Sequence, residues 1–271
     1  MENLKEDLFF KDYMQKLKQY HPKKAMGQNF LVCKNVAEAE AAHAVGKRVI
    51  EIGPGLGLLT HELCKNAKEV VAVEKDKVLY ELLLQDLGVE KNVKILHGDF
   101  FKEDFNEADI MISNIPYGLS SKTLIWLNKH NMEAVICIQK EFAERMLAKQ
   151  GSKNYSRISI ISNLNFSITK IMEVKSSCFY PKPKVDSMLL YIKPKKDKVP
   201  EQELGIISLF MEHKKKTLRN AIIASAKYLG ISKKDATHIA DNLKHEYERV
   251  FKLSPETLLE VANDLKEKIN S

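Results

Sequence analysis

Three glycines at alternate positions, Gly53, Gly55 and Gly57, lie between an apolar run and a helical pattern of residues. The stretch 49–60 therefore predicts a strand, a tight turn and a helix. Glycine accepts the positive φ angles of such a turn and lets the backbone pass close to a ligand. The following helix offers free N–H groups and the positive end of its dipole to the same ligand. The pattern predicts a binding site for a nucleotide-like cofactor.

The spacing of the glycines discriminates between cofactors. A dinucleotide-binding turn follows G-x-G-x-x-G, whereas here the third glycine is Gly57 and the next residue is Leu58. An acidic residue followed by G-x-G-x-G, as in the stretch from Glu51, resembles the first motif of the S-adenosylmethionine (AdoMet)-dependent methyltransferases. Because AdoMet has no pyrophosphate, the resemblance implies that its methionine part lies along the turn. An ordinary strand-to-helix turn is the alternative.

A second candidate site is the stretch Asn114-Ile115-Pro116-Tyr117. The lone pair of an exocyclic aromatic amine is delocalised into its ring, and two carbonyl acceptors aimed at the N–H groups draw it out of conjugation. The Asn114 side chain and the Ile115 main chain offer such acceptors, and Pro116 biases Ile115 towards an extended backbone. Tyr117 offers a face on which an extruded base can stack. The stretch suits methyl transfer by positioning and electrostatics; a strand-ending turn is the alternative.

Five near-continuous apolar runs predict the strands that position these residues. The runs are 49–52, 69–74, 93–96, 109–113 and 134–138. Separated by helical lengths, they indicate an α/β fold with a parallel sheet covered on both faces. Ligands bind outside the carboxyl ends of such strands, where Glu74 and Asp99 lie. Glu74 can accept both hydroxyls of a ribose, and Asp99, beside the Phe100 backbone, can accept an adenine amine. A solvated strand-end acid and a helix cap are the alternatives for these two carboxylates.

Composition bounds the class of protein. The chain has 271 residues and a net charge of +7, and five of its 43 basic residues are Arg. A lysine-rich surface suits phosphate contact without base reading, although a lysine-rich genome would give the same composition. The four cysteines are far apart and without C-x-x-C, so neither a zinc site nor a disulfide framework is indicated. We expect the protein to be in a reduced cytoplasm. We expect no metal, no signal peptide and no membrane span, and a monomer.

The remaining segments predict the domain organisation. Residues 4–20 have the spacing of an amphipathic helix, and 157–165 are helix-like. The segments 171–174 and 187–192 are expected to form an antiparallel pair that closes the sheet. Residues 193–200 are charged and bracketed by prolines, which predicts a boundary, and the pattern beyond them is all helical. The predicted parts are an extension at 1–20, a methyltransferase domain at 21–193 and a helical rRNA-contacting domain at 194–271.

Five segments together are similar to the KsgA-type ribosomal RNA adenine dimethyltransferases, in family order. They are 27–31, 51–55, 114–117, 139–141 and 179–187, within a similarity that runs from about residue 21 to 225. The resemblance implies a Rossmann-like class I AdoMet-dependent sheet with a small C-terminal all-α domain. It also implies transfer of four methyl groups to N6 of two adjacent adenosines in the 3′-terminal hairpin of small-subunit (16S) rRNA. The partner would be the immature small subunit during ribosome biogenesis.

The resemblance assigns roles by position. The cofactor set comprises Gln28, Asn29 and Leu31 at the entrance, Gly53 and Gly55 under the methionine part, Glu74 at the ribose, Asp99 and Phe100 at the adenine, and Asn114 at the reacting end. The catalytic set comprises Asn114, Ile115, Pro116, Tyr117 and Phe179, with the two aromatic rings around the flipped adenine. The rRNA set comprises Lys214, Lys215, Lys216 and Arg219. A core aromatic is the alternative for Phe179, and a solvated helix face is the alternative for the basic set.

Two other functions stay open on the sequence. One is a large-subunit methyltransferase of the resistance type, which shares the N-terminal motifs; the segment 179–187 and the basic stretch favour the small-subunit family. The other is an RNA-binding assembly or transcription factor on the same fold that no longer methylates. Intact Glu74, Asp99 and Asn114 argue against lost activity. The sequence departs from the usual family wording at Ser156 and at Phe100.

Overall fold

The computed structural model describes residues 2–105 and 107–270, and it describes no side chain for residues 2–7, 24 and 270. The strands of the described chain are β1 (Phe30–Leu31), β2 (Arg48–Ile52), β3 (Glu69–Glu74), β4 (Val93–His97), β5 (Ile110–Asn114), β6 (Glu133–Gln139), β7 (Phe166–Val174), β8 (Phe179–Tyr180) and β9 (Ser187–Pro194). The α-helices there are α1 (Glu2–Gln19), α2 (Lys34–Ala41), α3 (Leu58–Asn66), α4 (Lys77–Leu87), α5 (Ser120–His130), α6 (Lys140–Met146), α7 (Arg157–Asn165), α8 (Glu201–Glu212), α9 (Leu218–Ser225), α10 (Lys233–Ala240) and α11 (Pro255–Asn270).

A seven-stranded sheet forms the centre of the first structural unit. Its strand order is β4-β3-β2-β5-β6-β9-β7. Strands β2 to β6 pair in parallel, and β9 pairs antiparallel with β6. Ile110, Met111 and Ile112 are successive in β5 and all fully buried, so both faces of the sheet are covered. All five predicted strands and the α/β class are confirmed, and β7 and β9 lie side by side at one edge as expected.

A two-stranded ribbon joins the segment before α2 to the segment before β9. In it β1 and β8 pair antiparallel, with Leu31 opposite Phe179. The disulfide Cys33–Cys178 closes this ribbon, and its two Cα atoms are 5.0 Å apart. The sequence did not indicate this disulfide, because the partners are 145 residues apart in sequence and the pairing of β1 with β8 brings them together. Since disulfides are rare in reducing cytosol, cysteine usage no longer supports a reduced compartment.

The chain divides into two compact units in a way that differs from the predicted parts. The first unit comprises the chain through Ala143 plus Ile168–Lys193, and the second comprises Glu144–Ser167 plus the chain from Pro194 onward. One boundary between the two units lies before Pro194. Helix α1 belongs to the first unit, where Tyr13 and Leu17 are buried in its core. Residues 1 and 271, which the predicted parts include, lie outside the described residues.

The second unit is helical and includes a segment that the predicted division gives to the methyltransferase domain. Tyr155, Ile160 and Leu164 are buried in the same core as the C-terminal helices. The Tyr155 hydroxyl donates to the carbonyl of Leu253 at 3.0 Å. Residues 144–167 therefore extend the helical unit, because the apolar residues of α7 find their partners there. Within the described residues, no helix has the length and apolar character needed to cross a membrane.

Candidate active site

A cavity of about 780 Å³ lies at the carboxyl ends of the parallel strands. The loops after β2, β3, β4 and β5 all contribute to it. The predicted cofactor and catalytic residues that line it are Gln28, Asn29, Leu31, Gly53, Gly55, Glu74, Asp99, Phe100, Asn114, Ile115, Pro116, Tyr117 and Phe179. The structure thus brings together every cofactor-binding and catalytic residue that the sequence singled out.

The glycine turn is packed so tightly that side chains would obstruct it. Gly53, Gly55 and Gly57 have φ angles of 61°, 65° and 88°, which other residues rarely adopt. A Cβ on Gly55 would lie 3.0 Å from the ring of Phe30. A Cβ on Gly53 would lie 3.9 Å from Pro116, so this turn and the loop after β5 are in close approach. Gly53 and Gly55 of this turn line the cavity.

Glu74, at the end of β3, is held by the glycine turn and by its own loop. Its Oε2 accepts from the N–H of Gly55 at 3.1 Å, and its Oε1 accepts from the N–H of Asp76 at 2.7 Å. Burial raises the pKa of the carboxyl, and these backbone hydrogen bonds oppose the increase. A carboxylate has about four lone-pair sites, so each fixed oxygen keeps capacity for a ribose hydroxyl.

Asp76, which the sequence analysis missed, ties the entrance loop to β3. It accepts from Gln28 Nε2 at 3.0 Å and from the Tyr20 hydroxyl at 3.0 Å, and Lys23 forms an ion pair with it at 2.7 Å. Burial opposes ionisation of Asp76, yet hydrogen bonds, led by that from Lys23, lower its pKa. The Gln28 side chain is thus already hydrogen-bonded to Asp76, and this bond fixes the loop around Gln28 at the edge of the cavity. The signal in the sequence was an Asp before an apolar helical run, since Asp76 also caps α4 through Val78.

The loop after β4 combines a polar and an apolar wall. Asp99 Oδ1 accepts from the N–H of Phe101 at 3.2 Å, and Lys75 lies 3.5 Å from Oδ2. Burial works against ionisation, but the Phe101 hydrogen bond and the Lys75 charge bring the pKa of Asp99 below its usual range. Phe100 is 3% exposed and stacks on Phe105 with ring centroids 4.6 Å apart. Asp99 is both a turn cap and an ionised acceptor at the cavity.

In the loop after β5, hydrogen bonds fix the predicted catalytic residues Asn114, Ile115 and Tyr117. Asn114 Nδ2 donates to Glu40 Oε2 at 3.1 Å, while Asn114 Oδ1 is buried and without a partner among the described residues. The N–H of Ile115 donates to the carbonyl of Cys137 at 3.1 Å. The Tyr117 hydroxyl lies 2.9 Å from Ser187 Oγ. The amide oxygen of Asn114 is thus an available acceptor, and the Tyr117 ring is tethered from its far end.

Two further residues connect the cavity to the surrounding core. Phe179 is 6% exposed and packs in the core of the first unit while it also lines the cavity. Its core role and its cavity position therefore coexist. Tyr13 of α1 lines the same cavity and donates to the carbonyl of Leu31. The sequence alone gave no function for the first 20 residues. In the structure, Tyr13 of α1 supports the β1–β8 ribbon through Leu31.

In the basic stretch of the second unit, Lys214, Lys215 and Lys216 lie in the turn between α8 and α9, and Arg219 lies in the first turn of α9. Lys215 and Lys216 are exposed. Lys214 donates to the carbonyl of Tyr155 at 2.6 Å, and Arg219 pairs with Asp241 at 2.5 Å. The four predicted rRNA contacts therefore differ in how free they are to meet a phosphate.

A family model described as ribosomal RNA adenine dimethylase matches residues 20–263 of the chain. The chain belongs to this family. The cavity is accordingly that of an rRNA adenine dimethylase, an AdoMet-dependent methyltransferase, and the predicted enzyme class and cofactor are confirmed.

Several known proteins are similar to this rRNA adenine dimethylase over most of its length. The probable ribosomal RNA small subunit methyltransferase A of Pyrococcus furiosus is 40% identical over 255 residues, covering 91% of this chain and 93% of that protein. A dimethyladenosine transferase structure from Plasmodium falciparum aligns with a TM-score of 0.77 at 27% identity, covering 88% of this chain and 98% of that one. The 23S rRNA methyltransferase ErmE aligns with a TM-score of 0.62 at 22% identity over 88% and 99% of the two chains. At that identity the likeness to ErmE supports the fold alone.

The residues of the cavity fit the AdoMet of an rRNA adenine dimethylase. Gly55 lines the cavity at a point where a Cβ would press against the Phe30 ring. Glu74 offers fixed carboxylate oxygens for hydroxyls, and Asp99 offers an ionised acceptor for an amine. Among the described residues, no group of three or more His, Cys, Asp or Glu is placed to hold a metal ion.

Proposed function

We propose that this protein dimethylates N6 of two adjacent adenosines in the 3′-terminal hairpin of small-subunit rRNA. The observation that carries the proposal is one cavity lined by the glycine turn, Glu74 and Asn114 together. The choice of the small subunit is supported by the full-length similarity to a protein named for that subunit. The partner in this proposal is the immature small ribosomal subunit, and the location is the cytoplasm, where that subunit is assembled. We further propose that the enzyme acts as a monomer.

The proposed mechanism depends on acceptors rather than on a strong base. When bound, AdoMet supplies a methyl group activated by a sulfonium, so that the N6 lone pair forms the new C–N bond as the C–S bond breaks and its electron pair stays on sulfur. Asn114 Oδ1 and the Ile115 carbonyl accept hydrogen bonds from the two N6–H groups, which directs the lone pair out of conjugation. After transfer, one N6 proton leaves to water. Fixed dipoles at the reacting atom are the usual main source of such rate enhancement.

The target adenine has to leave its stack to reach this cavity, at a cost of a few kcal/mol. Tyr117, held by Ser187, and Phe179, held in the core, offer rings for the extruded base. Base–aromatic stacking contributes about 1–3 kcal/mol per base, which is enough to offset the extrusion. In the second methylation the one remaining N6–H group donates to one of these two acceptors.

Lys215 and Lys216 are expected to carry more of the rRNA contact than Lys214, because only their side chains are exposed. Replacing both with Ala should weaken rRNA binding and reduce the slope of log K against log salt by about 2. Binding titrations at several salt concentrations measure this slope. A matched control replaces Lys233 and Lys234, two exposed lysines of α10, which should leave the slope unchanged. An unaltered slope in the Lys215/Lys216 variant would argue against the contact.

The proposed substrate is tested by supplying labelled AdoMet with under-methylated small subunits and, separately, with large subunits. We expect label in small-subunit rRNA, mapped to two adjacent adenosines near the 3′ end. Label in large-subunit rRNA would favour the resistance-type activity. Binding to small subunits without any label would favour a non-methylating assembly factor.

A further inference from the structure

We propose that Glu40 is a positioning residue for methyl transfer, because it holds the Asn114 amide with its oxygen available to the target amine. Glu40 belongs to none of the motifs that mark the site, and it does not line the cavity. It would act only through Asn114. The inference deepens the proposed function and relies on the role given there to Asn114.

Glu40 lies on α2, a helix that contributes an acidic side chain to an otherwise apolar interior. Its neighbours in sequence include Ala37 and Ala41, which are buried, and Glu40 itself is fully buried. Glutamate is almost never fully buried without a partner. Its partner is Asn114 Nδ2 at 3.1 Å from Oε2, a contact between residues 74 apart in sequence. The buried acid on the helix face is thus explained by the active-site amide.

The hydrogen bond selects one of the two orientations of the Asn114 amide. The terminal torsion of Asn is broad and roughly two-fold, so an unrestrained amide can present either its NH₂ group or its oxygen. With Nδ2 bound to Glu40, the oxygen is the atom left without a partner. A buried acceptor without a partner destabilises the fold. Such an atom is understandable where its partner arrives with the substrate.

The surroundings of Glu40 disfavour the charged form of its carboxyl. Burial and, secondarily, the nearby charge of Glu51 raise its pKa well above the usual range, while the Asn114 hydrogen bond opposes the increase. Oε2 is the atom that accepts from the Asn114 amide. Gln has the same side-chain length as Glu and retains a carbonyl oxygen at this position. Glu40→Gln should therefore preserve the orientation of Asn114.

The experiment compares three variants of the full-length protein, Glu40→Gln, Glu40→Asp and Glu40→Met. Methyl transfer to under-methylated small subunits gives kcat, calorimetric titration gives the AdoMet Kd, and thermal unfolding gives Tm. Glu40→Met removes the acceptor at similar volume and should lower kcat by about 10- to 100-fold. Glu40→Asp withdraws the acceptor by one methylene, so its kcat should lie between those of the Met and Gln variants. Glu40→Gln should keep at least half of the wild-type kcat, and the AdoMet Kd should change by less than about threefold in all three.

A matched control separates positioning from the loss of a buried acid. Glu62 on α3 is 4% exposed and, like Glu40, has one oxygen without a partner among the described residues. Its other oxygen pairs with Lys65 at 2.8 Å rather than with a residue of the cavity. Glu62→Met should lower Tm and leave kcat at the wild-type value.

Three results would overturn the proposal. The first is a wild-type kcat in Glu40→Met, and the second is an equal loss in Glu40→Gln and Glu40→Met. If Glu40→Met does not fold, equal kcat in the Asp and Gln variants is the third. Failure of the proposed substrate is distinguishable from these, because wild-type enzyme would then label another RNA. The order of the variants on that RNA would still test Glu40.

Discussion

Asn114→Ala is expected to abolish methyl transfer to rRNA while AdoMet still binds with reduced affinity. The substitution removes the acceptor Oδ1 and leaves the buried carboxyl of Glu40 without its donor. Losing one preorganised polar contact at the reacting atom costs about 10²- to 10³-fold in kcat, and the orientation of the amine is lost with it. Labelled-methyl incorporation into under-methylated small subunits measures the activity, and calorimetry measures AdoMet binding.

The control for Asn114→Ala is Asn92→Ala, because the Asn92 side chain bonds to backbone carbonyls away from the cavity. Asn92 donates to the carbonyls of Cys64 and Ala67 at 2.8 and 3.1 Å and does not line the cavity. Asn92→Ala should lower Tm and keep kcat. Full activity in Asn114→Ala would remove this residue from the mechanism, and with it the role given to Glu40.

Gly55→Ala is expected to lower AdoMet affinity by at least about 10-fold, which corresponds to 1.4 kcal/mol of binding free energy. The new Cβ would meet the Phe30 ring at 3.0 Å, and φ is 65° at this position. Either the ring or the turn has to move. Movement of the turn also disturbs the hydrogen bond from the Gly55 N–H to Glu74 Oε2. Calorimetric titration with AdoMet measures the loss directly.

Gly46→Ala isolates the backbone strain from the collision. Gly46 has a φ of 69°, yet nothing lies within 4 Å of a Cβ placed there, and it does not line the cavity. Both variants should lose about 1–2 kcal/mol of stability from the left-handed conformation. Only Gly55→Ala should lose AdoMet affinity. Equal affinities in the two variants would mean that the glycine turn does not hold the cofactor.

The convergence of the site was predictable from the sequence because a parallel sheet brings the carboxyl ends of its strands to one edge. The apolar runs ending before Gly53, Glu74, Asp99 and Asn114 located four strand ends, and all four residues line one cavity. Local chemistry at the end of a strand is therefore informative. The near-continuous apolar runs located these strands to within one or two residues.

Contacts between distant segments were not predictable in the same way. The disulfide Cys33–Cys178 follows from the pairing of two-residue strands, and strands so short leave no periodic pattern. The sequence of residues 144–167 does not indicate the unit to which they belong. The packing of Tyr155 in the helical core places them in the second unit. Lys214 has the same residue type as Lys215, yet its hydrogen bond to the Tyr155 carbonyl takes it partly out of solvent. Partners of this kind depend on the tertiary structure.

Glu40 did leave a signal in the sequence. It lies in the run Ala37-Glu38-Ala39-Glu40-Ala41, where an acid on the alanine face of a helix needs a buried partner. The identity of that partner could not be read from the run. The structure identifies the partner as the side-chain amide of Asn114.

The central claim is that one cavity presents a methyl donor to the exocyclic amine of an adenine held by Asn114 and Ile115. Nucleoside analysis of small-subunit rRNA after incubation with labelled AdoMet tests it most directly. The account predicts that the label is found in N6,N6-dimethyladenosine and that Asn114→Ala removes it. Label on a ring nitrogen, on ribose or on another base would contradict the account.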